Sequence, residues 1–332
     1  MKHKLVEASN VLQRCLATLI NRGLLDKNAA NNTLVKPPKI VHEFLQESLK
    51  EIMSSLLVPQ QKTPFRPRNR SVAKRGWNDL VDGFESWRVW HLMGVGTLRR
   101  RYSRSRLGQF WTTLTTGIMI AAMGAVYSLL FHVKLAELLP SLASGFVLWS
   151  FMSGVINEST GAVTNSGNYF LNQDMPFSVP IFGIIYYQLI TLAHNAVIIV
   201  IVFVIFPPSL NFNILLFFPG MLLIIISLIS ISSITAILCA RYRDVIQLVA
   251  NIIQTAFFVT PVMFRPDAFP QNYRWLNLIN PFTVLLEISR SPLLGNDIHW
   301  VNWAIALGLA IGGALVAIPM IGHYRKRVIF WI

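Results

Sequence analysis

Six long apolar runs occupy the last two thirds of this sequence. The first, 109–131, holds no charged residue and reaches the length of about 20 residues that an α-helix needs to cross the hydrocarbon core of a bilayer. Hydrophobic residues make up 53% of the 332 residues and charged residues only 13%, which is more apolar surface than a soluble core can bury. The sequence therefore predicts an all-α membrane protein whose six transmembrane helices span 109–131, 139–156, 181–206, 214–240, 245–264 and 301–322.

Positive charge is concentrated ahead of the first run. Of the 29 Lys and Arg residues, 20 lie before residue 109, and further cations adjoin later runs at 241–243 and 325–327. Loops rich in Lys and Arg stay on the cytoplasmic side of a membrane, so six crossings predict a multi-pass protein with both termini in the cytoplasm. Because these cations lead up to an apolar block, we expect them to contact anionic lipid headgroups. No nucleic-acid partner is predicted. The cations beside the first run are Arg99, Arg100, Arg101, Arg104 and Arg106.

The sequence divides into three parts. Residues 1–75 contain two weak helical patterns and a basic linker, which predict a cytoplasmic extension of no assignable role. Residues 76–108 are expected to form an amphipathic helix, centred on 84–106, that lies in the membrane interface; a plain signal that stops and orients the first span is the alternative. Residues 109–332 form the six-span transmembrane domain. The apolar face of the interface helix carries Trp87, Trp90, Gly94 and Leu98.

The segment between the fifth and sixth runs, 265–300, is too long for a turn and contains four prolines. Its piece 281–294 has the length of a half-crossing, which favours a re-entrant pair of short helices on the external face; an amphipathic external loop is an equal alternative. Within the fifth run, Pro261 removes a helical hydrogen bond. We expect a neighbouring helix or hydroxyl to satisfy the backbone groups that it frees.

The apolar runs offer few of the groups that catalysis or metal binding needs. The sequence has no Gly-rich phosphate loop of the GxxxxGK[ST] type, and the seven acids beyond residue 108 are scattered rather than paired for Mg²⁺. Cys15 and Cys239 are too few for a disulfide framework or a zinc site. Gln188, His194 and Asn195 in the third run are interpreted as polar contacts between helices rather than as a proton relay. We expect no catalytic, metal or cofactor site, so a membrane-embedded glycan or prenyl-phosphate transferase is the weaker alternative.

Several motifs stand in an order that is similar to one protein family. Together with the basic aromatic helix, they make residues 84–332 resemble the permease subunit of type-2 ABC exporters, which move O-antigen, capsule or teichoic acid polysaccharides. The motifs are RYSRSRLGQFW at the first run, LASGFVLWSFMSGVINE in the second, HN in the third, RYRDV after the fourth, FFVTPVMF in the fifth and NPFTVLLEISRSPLLG before the sixth.

The resemblance implies a transport subunit rather than an enzyme. It implies a homodimer in the bacterial cytoplasmic (inner) membrane that exports a lipid-linked polysaccharide and pairs with a separate ABC ATPase subunit, which binds the ATP. The missing nucleotide loop agrees with this division of labour. A small-molecule exporter of the same architecture is an alternative that composition does not separate.

The resemblance also implies roles for three groups of residues. The loop before the third span couples to the ATPase, the segment before the sixth span forms an external gate, and the turn after the fourth span holds charges that pair locally and, as a second role, contact the ATPase. The coupling residues are Tyr169, Phe170, Leu171, Asp174 and Pro176; the external gate residues are Pro266, Trp275, Pro281 and Phe282; the charged turn is Arg241, Arg243 and Asp244.

A polysaccharide needs a path whose walls suit sugars. Sugar rings present CH faces that stack on aromatic side chains, whereas their hydroxyls exchange hydrogen bonds with water and polar groups. We therefore expect a translocation lane lined by aromatic residues of the spans, although each of them alone also suits lipid contact or packing. The arginines before the first span form a cytoplasmic entrance that would hold a lipid diphosphate, or ordinary lipid headgroups, by paired hydrogen bonds. The lane residues are Phe146, Trp149, Tyr186, Tyr187, Phe257 and Phe258.

Overall fold

The computed structural model describes residues 71–103, 105–172, 175–209, 211–264 and 275–331. Over these residues the chain consists of helices and turns and contains no strand, which confirms the predicted all-α class. The predicted extension up to residue 70 lies outside the described residues, as do Arg104, Asp174 and Pro266.

Eleven α-helices lie in the described ranges, together with short 3₁₀ turns at Thr164–Ser166, Phe212–Leu216 and Val328–Phe330. The part predicted as one interface helix contains two helices, which are separated at Ser86. The α-helices are α1 (Val72–Glu85), α2 (Trp87–Tyr102), α3 (Phe110–Phe131), α4 (Leu135–Ser159), α5 (Gly167–Asn172), α6 (Val179–Ile205), α7 (Phe217–Arg241), α8 (Asp244–Val259), α9 (Leu276–Ile279), α10 (Pro281–Leu294) and α11 (Trp300–Tyr324).

Five of these helices are long and apolar enough to cross a membrane: α3, α4, α6, α7 with the 3₁₀ turn before it, and α11. Their ends lie within four residues of the corresponding predicted spans. The predicted fifth span, 245–264, forms α8 instead. Its 16 residues extend about 24 Å at 1.5 Å per residue, which is less than the ~30 Å hydrocarbon core. The sixth crossing therefore stays a prediction.

Local sequence signals set the limits of α8 and α10. α8 ends two residues before Pro261, which has no N–H to continue the helix. α10 begins after Asn280, whose side chain accepts a hydrogen bond from a first-turn N–H at 3.0 Å, and Pro281 occupies its first position. It ends at Gly295, which adopts a φ of 70° that glycine takes without strain. The bounds Pro281–Leu294 coincide with the predicted half-crossing.

Helix α4 forms the centre of the bundle. It is buried along most of its length and packs against α3, α6, α7 and α10. α7 and α11 lie side by side, and α10 fits between α4, α7 and α11. α3, by contrast, buries only Thr113, Ile120 and Gly124, so most of its apolar surface faces outward, as expected for a helix in lipid or against another subunit.

The bundle has two ends. At the first, which we call the arginine end, α1 packs against α11 and α2 against α6, and Arg325 after α11 lies 3.3 Å from Asp79 of α1. At the opposite end, Asn211 donates a hydrogen bond to the carbonyl of Gly295 at 3.3 Å, so the α6–α7 turn meets the end of α10. The helix before the first span and the residues after the last one therefore lie at the same end of the bundle.

Candidate functional site

A groove of about 760 Å³ runs along one side of α8. Its walls are α8 from Asp244 to Val259 and the residues from Ile279 to Phe282 at the start of α10. Only Ile253 of α8 is buried, so this helix presents nearly its whole surface to the outside of the chain. The groove therefore connects the arginine end, where α8 begins, with the start of α10.

Polar side chains form a stripe along this groove. Gln247, Asn251 and Thr255 recur every four residues, which places them on one face of α8, and all three are exposed. Gln247 Nε2 donates to Asn251 Oδ1 at 3.4 Å, and Thr255 Oγ1 donates to the carbonyl of Asn251 at 2.9 Å. Polar groups are costly against hydrocarbon, so this polar stripe needs water, a polar ligand or another chain opposite it. No prediction from the sequence included the polar stripe, although its spacing is visible there.

An aromatic cluster adjoins the groove at the start of α10. The ring centroid of Trp149 lies 5.8 Å from that of Phe257 and 5.5 Å from that of Phe282. Phe257 also contacts Phe146 at 6.1 Å and Phe258 at 5.5 Å. Trp149 is buried and Phe258 is 65% exposed, so the aromatic cluster reaches from the core of the bundle to its surface. Four of the six predicted lane residues thus form one connected set with a predicted gate residue.

The other two predicted lane residues, Tyr186 and Tyr187, lie at the arginine end. Tyr186 packs on α2, with its ring centroid 5.5 Å from that of Trp90. Tyr187 is buried, and its hydroxyl accepts a hydrogen bond from Arg101 Nη1 at 2.6 Å. The same guanidinium lies 2.9 Å from a carboxylate oxygen of Glu158. The structure therefore separates the two tyrosines from the aromatic cluster.

The remaining described entrance arginines are exposed. Arg99 and Arg100 belong to the last turn of α2, and Arg100 Nη2 donates to Thr97 Oγ1 at 3.1 Å. Arg106 lies in the turn that leads to α3. Because Arg101 is engaged by Glu158, these three arginines are better placed to receive an anion from the membrane surface.

In the charged turn, the Arg241 side chain stacks on aromatic rings and does not form an ion pair with Asp244. The guanidinium of Arg241 lies over the rings of Tyr242 and Trp331, 5.3 Å from each centroid, and its Nε donates to the Tyr242 hydroxyl at 3.0 Å. Arg243 and Asp244 are exposed beside the start of α8. Within the described part of the chain no ion pair joins Arg241, Arg243 and Asp244, so cation–π contacts replace the expected charge pairing.

Helix α10 carries a buried ion pair. Arg290 is 1% exposed and pairs with Glu287 one turn earlier, whose second oxygen accepts a hydrogen bond from Ser291 Oγ at 2.9 Å. Arg290 Nη1 also donates to the carbonyl of Pro261 at 2.6 Å, just after the end of α8. A buried cation of a neighbouring helix thus satisfies the carbonyl of Pro261 itself, and no sequence argument singled out this cation. The expected partner for the carbonyl that the missing N–H of Pro261 frees, four residues earlier, stays a prediction.

Two further contacts hold the end of α8 against its neighbours. Asn280 Nδ2 donates to Thr260 Oγ1 at 3.0 Å, which links the end of α8 to the start of α10. Gly145 of α4 lets the turn after α8 approach closely, because a Cβ at this position would lie 2.9 Å from the carbonyl oxygen of Val262 and 3.2 Å from Arg290 Nη1. The inner end of the groove is therefore built on packed, hydrogen-bonded structure.

The segment between α4 and α6 holds the predicted coupling residues. Tyr169 of α5 is 42% exposed, whereas Phe170 is buried in the core, and Leu171 follows in the same helix. The carbonyl of Pro176 accepts a hydrogen bond from the N–H of Val179 at 3.2 Å, at the first turn of α6. Of Tyr169 and Phe170, whose side chains the structure describes in α5, Tyr169 is the one that is open to another protein.

The predicted gate residues surround the start of α10. Trp275 is exposed shortly before α9, and Pro281 is the first residue of α10. Phe282 packs edge-on against Trp149 and lines the groove. Pro281 and Phe282 therefore stand at the aromatic cluster, whereas Trp275 lies on the surface before α9.

Polar groups of α6 have different partners. Asn195 is buried and accepts a hydrogen bond from Thr113 of α3 at 3.2 Å, which confirms its predicted contact between helices. Gln188 is buried against Gly154 of α4. For His194 the same prediction is wrong, because its exposed ring contacts a carbonyl of its own helix at 2.9 Å. Among the described residues, no three His, Cys, Asp or Glu side chains are grouped to hold a metal ion.

Known proteins have sequences that are similar to most of this chain. The family model described as ABC-2 type transporter matches residues 89–294, which include the groove, the aromatic cluster and the buried ion pair. The O-antigen export system permease protein RfbA of Klebsiella pneumoniae is 24% identical over 234 residues, which cover 69% of this chain and 89% of that protein. The polysialic acid transport protein KpsM of Escherichia coli is 23% identical over 246 residues, which cover 70% of this chain and 94% of that protein.

Proposed function

This chain belongs to the ABC-2 type transporter family, and on that premise we propose that it is the membrane permease subunit of an ATP-driven exporter of a lipid-linked polysaccharide. The two relatives are named for the export of O-antigen and the transport of polysialic acid, and both substrates are glycans. In this proposal the chain sits in the bacterial inner membrane, and a separate ABC ATPase subunit hydrolyses the ATP.

The groove along α8 is the observation that supports a sugar polymer as the substrate. The polar stripe of Gln247, Asn251 and Thr255 offers amide and hydroxyl groups to sugar hydroxyls. At its inner end, Phe282 lines the groove and offers a ring on which the CH faces of sugars stack, and it is backed by the ring of Trp149. A ligand that is apolar throughout would gain nothing from the polar stripe, whereas a polysaccharide uses both surfaces along its length.

Helices α8 and α10 together complete a sixth crossing in this proposal. α8 starts at the arginine end, α10 finishes at the opposite end, and Asn280 and Thr260 join their near ends. The arginine end faces the cytoplasm in this proposal, because most of the cations that flank the spans lie there, with Lys134 at the opposite end. Pro281 and Phe282 then stand partway along the crossing, where a gate would narrow the lane.

A second copy of the chain would enclose the lane. In one chain the polar stripe forms a single wall that opens outward, and lipid facing it would leave amide groups without partners. A twofold dimer with the two α8 helices opposite each other replaces that lipid with an aqueous lane. Arg99, Arg100 and Arg106 would receive the lipid diphosphate at the entrance, and Tyr169 would contact the ATPase.

Removal of the chain from its host tests the proposal. The expected result is accumulation of a lipid-attached polymer in the cytoplasm, and expression of the chain reverses it. Normal export of every surface glycan in the deleted strain, combined with a defect in the efflux of a small molecule, would contradict the polysaccharide and favour a small-molecule exporter.

A matched pair of glutamines on α8 tests the groove itself. Gln247 lines the groove, whereas Gln254 is also exposed but does not line it. Gln247→Leu is expected to lower the export rate about fivefold, the factor that corresponds to one lost hydrogen bond of roughly 1 kcal/mol. Gln254→Leu is expected to export normally. Equal rates for the two variants, at equal membrane levels, would place the lane elsewhere.

A further inference from the structure

Helix α1 buries an unusual face for an interface helix. Its only buried residues are Gly76, Asp79 and Gly83, at intervals of three and four, so two glycines and one acid share one side of the helix. Apolar residues such as Trp77 and Phe84 are exposed instead. The contacts of α1 with the bundle therefore depend on close backbone approach and on one carboxylate.

The glycines let α1 touch two other segments. A Cβ at Gly76 would collide with the carbonyl oxygen of Ile318, and a Cβ at Gly322 would collide with that of Val72. These two positions place the backbones of α1 and α11 against each other. A Cβ at Gly83 would collide with the hydroxyl of Ser178, just before α6.

Asp79 joins the same three segments by hydrogen bonds and charge. Its carboxylate is 2% exposed and accepts hydrogen bonds from the N–H groups of Phe177 at 3.2 Å and Ser178 at 3.1 Å. The Ser178 hydroxyl donates to the carbonyl of Asp79 at 2.7 Å. Arg325, after α11, lies 3.3 Å from the carboxylate. One side chain of α1 thus binds the start of α6 and the end of α11.

Burial makes this acid costly. Desolvation raises the pKa of the Asp79 carboxyl above its ordinary value, although the N–H groups of Phe177 and Ser178 and the charge of Arg325 lower it. An apolar residue at this position would avoid the desolvation penalty. The carboxylate is more specific than an apolar contact would be, because it fixes the direction of two backbone N–H groups and of one guanidinium.

We infer that Asp79 is a positioning residue that locks α1, the start of α6 and the end of α11 into one rigid joint. Phe177 and Ser178 lie between α5, which contains Tyr169, and α6, so we expect movement of α5 to reach α6 at this joint. Through Asp79 the same movement reaches α1 and α11. The role of the joint in export depends on the proposed function, whereas its rigidity does not.

Hydrogen exchange on the intact purified chain tests the rigidity without any partner. Asp79→Asn replaces one acceptor oxygen with an NH₂ group, which cannot accept from a backbone N–H or attract Arg325. The amides of Phe177 and Ser178 are expected to exchange roughly tenfold to a hundredfold faster, the factor that one lost charge-assisted hydrogen bond produces. Asp82→Asn, one turn further along α1, is the matched control and is expected to change these rates less than about twofold. Equal rates in both variants would overturn the inference.

Arg325→Gln keeps the test decisive if Asp79→Asn does not fold. Arg325 is partly exposed, so its replacement removes one partner at the edge of the joint and leaves the core unchanged. Exchange at Phe177 and Ser178 is expected to rise about twofold to tenfold, in line with a partly exposed ion pair. An unchanged rate in this variant would overturn the inference as well.

Transport by the complex with the co-purified ATPase tests the consequence for export. If the joint only supports folding, weakening it lowers the rates of ATP hydrolysis and of polymer export by the same factor. A positioning role predicts that Asp79→Asn keeps ATP hydrolysis near the wild-type rate while the polymer exported per ATP falls several-fold. A proportional loss of both would overturn the positioning role. Absence of any co-purified ATPase would refute the proposed function and leave the exchange result standing.

Discussion

Helices α8 and α10 are neighbours of similar length, but polar residues are exposed on α8 and buried on α10. α8 has 16 residues and buries one of them, whereas α10 has 14 residues and buries eleven. Gln247, Asn251 and Thr255 of α8 face the groove. The polar groups of α10 face inward, where Glu287, Arg290 and Ser291 satisfy one another.

This difference indicates that α10, rather than α8, fixes the architecture of this part of the bundle. A buried charge is tolerated only where partners hold it, so α10 has one position in the bundle and the turn after α8 is bound to it through Pro261. α8 is tied at that end and is otherwise free to present its polar stripe. Substitutions in α10 are therefore expected to change stability, and substitutions in α8 are expected to change transport.

The largest expected effect is that of separating the buried ion pair. Arg290→Met leaves Glu287 buried without its cation, so the free energy of unfolding is expected to fall by about 3–5 kcal/mol, measured by SDS titration in micelles. The double variant Glu287→Leu with Arg290→Met removes both charges and is expected to recover most of this loss. If the double variant is as unstable as the single one, the hydrogen bond to Pro261 rather than the charge fixes α10.

The next effect concerns how tightly the turn after α8 packs on α4. Gly145→Ala adds a methyl group 2.9 Å from the carbonyl oxygen of Val262, so the free energy of unfolding is expected to fall by about 1–3 kcal/mol. Gly308→Ala on α11 is the control, because a Cβ there meets nothing within 4 Å, and its effect is expected to be neutral or stabilising by less than about 1 kcal/mol. If Gly145→Ala is as stable as Gly308→Ala, close packing at Gly145 does not limit the stability of the bundle.

Local signals explain why one of the two helices was predicted so closely. Asn280, Pro281 and Gly295 are start and stop residues that act within a few positions, and they fix α10 at its predicted limits. The length of α8 was overestimated, because its apolar composition continues beyond Pro261 although the helix does not. Composition shows how apolar a segment is, but it does not show that Pro261 ends the helical hydrogen bonds of α8.

Contacts between distant residues limited the prediction of the candidate site. The partners of Asp79 lie 98, 99 and 246 positions away, so no local pattern marks it as buried. Residue type alone suggests Tyr187 for the lane, and only the structure shows that Arg101, 86 positions earlier, donates a hydrogen bond to its hydroxyl. Phe257 joins Phe146 and Trp149 only because α8 packs on α4 in three dimensions.

A smaller effect is expected from the link between the two helices. Asn280→Ala removes the cap of α10 and the bond to Thr260, so the free energy of unfolding is expected to fall by about 0.5–2 kcal/mol. Asn280→Asp keeps the capping oxygen but has no N–H for Thr260, and its loss is expected to be smaller. Equal losses would mean that the bond to Thr260, and not the cap, dominates.

The smallest change in stability is expected on the polar stripe, where the effect on export is the useful measurement. Asn251 is exposed on α8, so Asn251→Leu is expected to change the free energy of unfolding by less than about 0.5 kcal/mol. Export is expected to fall about fivefold, because sugar hydroxyls lose a partner of roughly 1 kcal/mol. Asn251→Gln retains an amide and is expected to export at nearly the wild-type rate. If Asn251→Leu unfolds as easily as Arg290→Met, the polar stripe is a packing surface like the face of α10, and the contrast between the two helices fails.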